Sequence, residues 1–143
     1  SASGEAPAPL SRGGVKLLLD THILLWAMAG DERMRPAARR AITDSANTVY
    51  VSAASAWEIA IKAGLGRVRI PPNTSKWLPA EIERSQFLAL PVTIDHALAV
   101  ERLPRHHNDP FDRLLVAQAK ADGLTLVTHD RNLCRYDIAV LEA

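Results

Sequence analysis

The stretch VKLLLDTHILLWAMAG, residues 15–30, decides the fold class of this chain. It opens with a short continuous apolar run over residues 15–19, which is typical of a strand buried on both faces in a parallel sheet. The polar residues Asp20, Thr21 and His22 follow, and apolar residues then continue from Ile23 to Gly30. We expect a helix that Thr21 caps and that Gly30 ends. A buried strand followed directly by a helix is the building unit of α/β proteins.

The same alternation of short apolar runs and helical patterns continues to the end of the chain. Further strands are predicted over residues 48–51, 87–92, 124–128 and 138–141. Further helices are predicted over residues 36–42, 56–63, 76–86, 94–103 and 109–121. This order predicts an α/β fold, a three-layer α/β/α sandwich around a mainly parallel sheet.

Length and composition limit the class of protein. At 143 residues, with 48% hydrophobic and 23% charged residues, the chain fits one globular domain. A simple electrostatic nucleic-acid binder is usually more basic than the formal net charge of +1 found here, so any contact with a polyanion must come from local patches or a metal. The single cysteine, Cys134, excludes an intrachain disulfide and suits a reducing cytoplasm. No apolar run is long enough to cross a membrane.

The first fourteen residues differ in composition from the rest. Residues 1–14 are rich in alanine, proline, serine and glycine and lack the hydrophobic centre of a signal peptide. We expect them to be a disordered leader or a remnant of cloning. Residues 15–143 then form a single domain.

Three aspartates are predicted to meet at one edge of the sheet. Asp20 directly follows the first strand, and Asp130 follows the strand over residues 124–128. Ligands of open parallel sheets bind beyond the carboxyl ends of the strands, where both carboxylates fall. Asp112 lies in the first turn of the preceding helix and can reach the same edge. Glu58 lies on a helix of alanines and apolar residues, so it needs a partner if it faces inward.

A divalent cation resolves the mutual repulsion of such carboxylates. Mg²⁺ prefers oxygen ligands and keeps several waters. A cation in this position activates water and holds a phosphodiester. The expected site is therefore a metal site for phosphodiester hydrolysis.

Each of these residues also has a purely structural explanation. Asp20 and Asp130 can cap helical turns, and Asp109 with Asp112 can serve as the cap and third residue of a helix. Glu58 can form an ion pair with Lys62 one turn later. Each acidic residue taken alone is therefore only modest evidence for a metal site. The expected placement of all four at one edge of the sheet is what favours the metal site.

Two alternative roles are disfavoured by the sequence. Zinc binding by His106 and His107 is disfavoured, because adjacent histidines point apart and no helper motif is present. Trp26 and Trp57 occupy apolar helical positions, which favours the core over a base-stacking platform.

Four sequence blocks resemble the PIN-domain family over residues 15–141. They are LLLDTH at 17–22, SAASAWEI at 52–59, HNDPFDRLLVAQA at 107–119 and LVTHD at 126–130. The third block resembles the branch that contains bacterial type II toxins of the VapC kind. The resemblance implies that Asp20, Glu58, Asp112 and Asp130 are the ligands of Mg²⁺ or Mn²⁺, with Thr128 supporting the pocket. Asp112, rather than Asp109, matches the third acidic position of the family, and Asp109 supports it.

The resemblance also implies an activity and partners. The expected protein is a cytoplasmic, metal-dependent endoribonuclease, dimeric and inhibited by a cognate antitoxin. It would cleave RNA through metal-activated water and leave a 5′-phosphate and a 3′-hydroxyl. Arg113 and Lys62 are the candidates for contacts to the substrate phosphates. A PIN nuclease of RNA processing without an antitoxin, and a catalytically silent protein-binding module, remain alternatives.

Overall fold

The computed structural model describes residues 14–143, so the predicted leader lies outside the described residues except for Gly14. The strands are β1 Lys16–Leu19, β2 Thr48–Ser52, β3 Leu88–Leu90, β4 Thr125–Thr128 and β5 Val140–Glu142. The helices are α1 Thr21–Ala29, α2 Pro36–Thr43, α3 Ala53–Gly64, α4 Thr74–Arg84, α5 Ile94–Ala99 and α6 Pro110–Asp122. Short 3-10 turns cover Val100–Arg102 and Leu133–Arg135. Within residues 14–143, no helix combines the length and apolarity needed for a bilayer crossing.

The five strands form one sheet in the order β3-β2-β1-β4-β5. Every neighbouring pair is parallel, with Leu18 of β1 opposite Tyr50 of β2 and Leu126 of β4. The α/β prediction is confirmed, and the sheet is entirely rather than mainly parallel. Because β1 lies at the centre and β2 and β4 flank it, the carboxyl ends of these three strands share one edge of the sheet.

Both faces of β1 are buried, which explains its continuous apolar run. Leu17 and Leu19 belong to a core on one face that includes Ile23 of α1 and Ile59 of α3. Leu18 points to the opposite face and packs in a second core with residues of α6, since side chains alternate along a strand. Helices therefore cover both faces of the sheet, as in the predicted three-layer sandwich.

The start of α1 differs from the prediction. Asp20, not Thr21, is the N-cap, because its Oδ1 accepts the backbone N–H of Ile23 at 2.8 Å. Thr21 is instead the first residue of the helix, buried, and donates its hydroxyl to Ser55 Oγ. Gly30 ends α1 in the left-handed conformation (φ 65°), which glycine adopts without strain.

Candidate metal centre

Asp20 is buried at the carboxyl end of β1 and is only 5% exposed. Its Oδ1 is held by the start of α1, and its Oδ2 accepts the hydroxyl of Thr128 at 2.5 Å. Thr128 is fully buried at the end of β4, and its Oγ1 also accepts the backbone N–H of Asp130 at 3.0 Å. The Thr128 hydroxyl therefore links the two acidic residues that follow β1 and β4.

Glu58 reaches the same edge from α3. This helix starts directly after β2, where the Ser52 hydroxyl accepts the N–H of Ala54. Glu58 is 4% exposed, and its Oε2 lies 2.7 Å from Lys62 Nζ, so the ion pair considered from the sequence does form. Its Oε1 is buried and has no hydrogen-bond partner among the described residues. An unpartnered buried carboxylate oxygen is costly, which is a physical reason to expect a ligand there.

Asp112 enters the site from the first turn of α6. The N-cap of α6 is Asp109, whose Oδ1 accepts the N–H groups of Phe111 and Asp112 at 2.8 and 3.3 Å. Asp109 thus performs the capping, and the side chain of Asp112 is left to face the pocket. Burial, followed by the charges of Asp109 and Asp20, raises the pKa of Asp112 to about 7. A smaller effect of Glu58 acts in the same direction, which indicates that these carboxylates share one region.

The sequence did not indicate the position of His107. Its Nε2 lies 2.6 Å from Asp130 Oδ2 and 3.4 Å from Asp112 Oδ2. Its Nδ1 accepts the backbone N–H of Asp109 at 3.0 Å, so the neutral ring carries its proton on Nε2. An imidazole in this tautomer donates to the carboxylates and has no lone pair on Nε2 for zinc. The sequence feature that could have indicated a place for His107 in the site is its position two residues before Asp109, the N-cap of α6.

His107, Asp112 and Asp130 form a compact group. One ligand atom from each lies within 4.8 Å of the other two. Because His107 Nε2 is a donor, we interpret the imidazole as the group that holds the two carboxylates together. The oxygens of Asp112 and Asp130, not the ring nitrogen, are then the candidates for metal coordination.

Arg113 does not face the pocket, which contradicts its predicted contact with substrate phosphates. Its side chain is buried, and the guanidinium donates to the carbonyl oxygens of Pro104 and Val100 at 3.0 Å and to the Tyr136 hydroxyl at 3.2 Å. These bonds join α6 to the segment that follows α5. The Arg113 side chain is therefore structural. Lys62 is partly exposed but is engaged with Glu58.

Trp57 is 59% exposed, so the prediction that it belongs to the core is wrong. Trp26 is 9% exposed and lies in the core, as predicted. The difference follows from helix geometry, because α3 turns Glu58 and Ile59 inward and the adjacent position then faces outward.

The residues present fit a hard divalent cation. Oxygen ligands are offered by Asp20, Glu58, Asp112 and Asp130, which come from four separate segments around one edge of the sheet. The unpartnered Glu58 Oε1 and the raised pKa of Asp112 both indicate negative charge that the protein alone does not neutralise. Mg²⁺ and Mn²⁺ suit such an oxygen-only set.

In the absence of divalent metal, the protein is expected to lose stability as the pH rises from about 4 to about 7. The pKa of Asp112 is about 7 in the folded chain and near its ordinary value of 3.8 in the unfolded chain. Between these values the folded state holds a proton that the unfolded state has released, so raising the pH favours unfolding. Urea denaturation in EDTA measures this trend. Asp112→Asn should flatten it, and an identical pH dependence in both proteins contradicts the assignment.

Comparisons with known proteins agree with this geometry. The PIN domain family model matches residues 17–139. Ribonuclease VapC22 of Mycobacterium tuberculosis is 33% identical over 117 residues, which cover 82% of this chain and 88% of the relative. Ribonuclease VapC16 of the same organism is 36% identical over 64 residues, 45% of this chain and 44% of that protein.

Solved structures show the same fold. A chain of the VapBC2 complex of Rickettsia felis, bound to a promoter DNA fragment, superimposes with a TM-score of 0.66 at 15% identity. The match covers 90% of this chain and 98% of that chain. A chain of DNA-bound VapBC from Salmonella typhimurium gives a TM-score of 0.63 at 16% identity, with coverage of 90% and 98%. From the family match and the sequence identity over most of both chains, this protein belongs to the PIN-domain family, in its VapC ribonuclease branch.

Proposed function

We propose that this chain is a divalent-metal-dependent endoribonuclease whose metal ligands are Asp20, Glu58, Asp112 and Asp130. The observation that carries the proposal is the meeting of these side chains at the carboxyl edge of the sheet, with one buried Glu58 oxygen left without a partner. A silent binding module has no need of such a charge cluster, whose ionisation opposes folding. The match to Ribonuclease VapC22 supports RNA as the substrate.

The protein groups divide into ligands and positioning residues. The four carboxylates would hold Mg²⁺ or Mn²⁺, which would supply Lewis acidity to activate water and to neutralise charge on the phosphodiester. Thr128 fixes the rotamer of Asp20, and His107 fixes Asp130 relative to Asp112. Asp109 sets the start of α6 and thereby the direction of Asp112. We expect products with 5′-phosphate and 3′-hydroxyl ends.

The activity is tested on a set of single-stranded and structured RNAs. The purified chain is incubated with Mg²⁺, Mn²⁺ or EDTA, and the ends of the products are mapped. Metal-dependent internal cleavage supports the proposal. Cleavage that proceeds equally in EDTA, or products with 2′,3′-cyclic phosphate ends, would contradict it.

Thr128→Val is expected to weaken Mn²⁺ binding about 10- to 100-fold, the usual cost of losing a hydrogen bond to a metal ligand. Valine keeps the shape of the side chain but cannot donate to Asp20 or accept from Asp130. Thr128→Ser keeps the hydroxyl and is the matched control. Titration calorimetry measures the Mn²⁺ affinities of both variants. Equal affinities of Thr128→Val and Thr128→Ser would contradict a role of the Thr128 hydroxyl in metal binding.

We also propose a toxin role with an antitoxin partner in the cytoplasm. Support comes from the relatives named VapC and from the solved complexes named VapBC, whose chains share this fold. Expression of the chain with the small protein encoded beside its gene tests this. Recovery of a complex in which RNA cleavage is suppressed is the expected result, and light scattering on the free chain tests the predicted dimer.

A further inference from the structure

A small polar cavity opens beside the metal centre. Its volume is about 250 Å³. The lining residues are Arg105, His106, His107, Asn108 and Asn132. All of them are polar, and they include one arginine and no carboxylate. They come from two segments, of which one leads into α6, the helix of Asp112, and the other follows β4 and carries Asp130.

Hydrogen bonds to Asp130 place this cavity at the metal centre. His107 lines the cavity, and its Nε2 lies 2.6 Å from Asp130 Oδ2 and 3.4 Å from Asp112 Oδ2. Asn132 also lines the cavity, and its backbone N–H donates to Asp130 Oδ1 at 2.9 Å. The cavity and the metal centre therefore share one imidazole ring, a group smaller than a nucleotide. An RNA strand held at the metal centre has an adjoining nucleotide within reach of the cavity.

The wall of the cavity is fixed by a buried tyrosine. The backbone N–H groups of His106 and His107 both donate to the Tyr136 hydroxyl, at 3.2 and 3.1 Å. Tyr136 is buried, and its hydroxyl also accepts from the Arg113 guanidinium at 3.2 Å. The His106 ring packs edge-on against the Tyr136 ring, with centroids 4.9 Å apart. Arg105 thus extends from a backbone that is ordered before any ligand binds, which lowers the entropy cost of binding.

Arg105 gives the cavity a positive charge that the described chain does not neutralise. The side chain is exposed, and within residues 14–143 it forms no ion pair with a carboxylate. The two cations predicted at the substrate phosphates are engaged elsewhere, Arg113 with backbone carbonyl oxygens and Lys62 with Glu58. A guanidinium group matches the geometry of a phosphate and can donate two parallel hydrogen bonds to it.

We propose that this cavity is a phosphate subsite, in which Arg105 binds a phosphodiester group of the RNA strand beside the one that is cleaved. The side-chain amides of Asn108 and Asn132 can donate to the same phosphate oxygens. The inference rests on the proposed ribonuclease function and deepens it, because it names where the substrate backbone is held. The edge of a nucleobase is the alternative occupant, since arginine and asparagine also bind base edges. The unneutralised cation and the lack of a carboxylate favour the phosphate.

Fluorescence anisotropy of a labelled, single-stranded oligoribonucleotide tests the subsite. Binding is measured in the Asp20→Asn background at one concentration of Mn²⁺, so that cleavage does not interfere. Arg105→Gln should weaken binding about 5-fold at about 0.1 M salt and lower the slope of log affinity against log salt by about 0.7, the effect of one phosphate contact to a single strand. Arg102→Gln is the matched control. It makes the same change of charge at an exposed residue that lines a different cavity, and it should bind as the parent does.

A second measurement identifies the group that is bound. Uncharged methylphosphonate linkages are placed singly along the oligonucleotide, and one position should weaken binding by the parent but not by Arg105→Gln. Abasic residues are placed in the same way. If the dependence on Arg105 appears at an abasic position instead, the phosphate subsite is wrong and the cavity holds a base. Parental affinity and salt dependence in Arg105→Gln, or an equal loss in Arg102→Gln, also overturn it.

Failure of the subsite is distinguishable from failure of the proposed function. If only the subsite is wrong, the wild-type protein still cleaves RNA with Mn²⁺. A wild-type protein that neither binds nor cleaves RNA contradicts the ribonuclease function, and the subsite with it.

Discussion

Asp20→Asn is expected to lower the rate of RNA cleavage by at least about 100-fold, since loss of even an outer partner of a metal ligand costs about 10- to 100-fold. Asparagine retains an oxygen that can accept the N–H of Ile23, so α1 keeps its N-cap. It removes the negative charge that faces the pocket. The effect should therefore appear in Mn²⁺ affinity and in cleavage, with the melting temperature in EDTA unchanged or raised.

A matched control separates this effect from a general change of charge. Asp44→Asn removes one exposed carboxylate after α2 and keeps an oxygen for the N–H of Ala46. It should cleave RNA at the wild-type rate. If Asp20→Asn also retains wild-type cleavage, Asp20 is only a helix cap and the four-carboxylate site is incorrect.

Arg113→Met is expected to lower the free energy of unfolding by about 3 kcal/mol, because it removes several hydrogen bonds of a charged donor that are each worth about 1.5–3 kcal/mol. Methionine fills part of the space but leaves the carbonyls of Val100 and Pro104 without their donor. Urea denaturation measures the change, and the exposed Arg40→Met on α2 is the control, expected to stay within about 0.5 kcal/mol of wild type.

The same variant distinguishes a structural arginine from one that binds phosphate. If Arg113 acts only within the fold, the folded fraction of Arg113→Met binds RNA with an unchanged dependence on salt. If Arg113→Met instead has wild-type stability and its RNA affinity becomes less sensitive to salt, the result would support the contact between Arg113 and substrate phosphates that was predicted from the sequence.

The sequence was sufficient for the class of fold because local pattern and burial agree. The apolar runs before Asp20 and Asp130 predict strands buried on both faces, and parallel topology then places these residues at one edge. Boundaries were less predictable where strands are short. The strand predicted over residues 87–92 is reduced to Leu88–Leu90, and the helix predicted over residues 94–103 ends at Ala99 before a 3-10 turn.

The errors concern side-chain direction, which one sequence does not determine. Arg113 was expected at the pocket because it adjoins Asp112. Adjacent helical positions differ by about 100°, however, and the buried Arg113 side chain donates to the carbonyl oxygens of Val100 and Pro104 instead. Trp57 was assigned to the core by hydrophobicity alone, although its neighbour Glu58 takes the inward position. The role of His107 could not be predicted because its shortest carboxylate contact, with Asp130, joins residues 23 positions apart.

The central claim is that the four carboxylates hold a divalent cation on which RNA cleavage depends. Its most direct test is a Mn²⁺ titration of chelator-stripped protein, with cation binding and cleavage of one RNA followed in the same samples. The account predicts no cleavage without metal, cleavage that rises with occupancy, and loss of both in Asp20→Asn. Full cleavage by the stripped protein, or Mn²⁺ binding unaffected by Asp20→Asn, would contradict it.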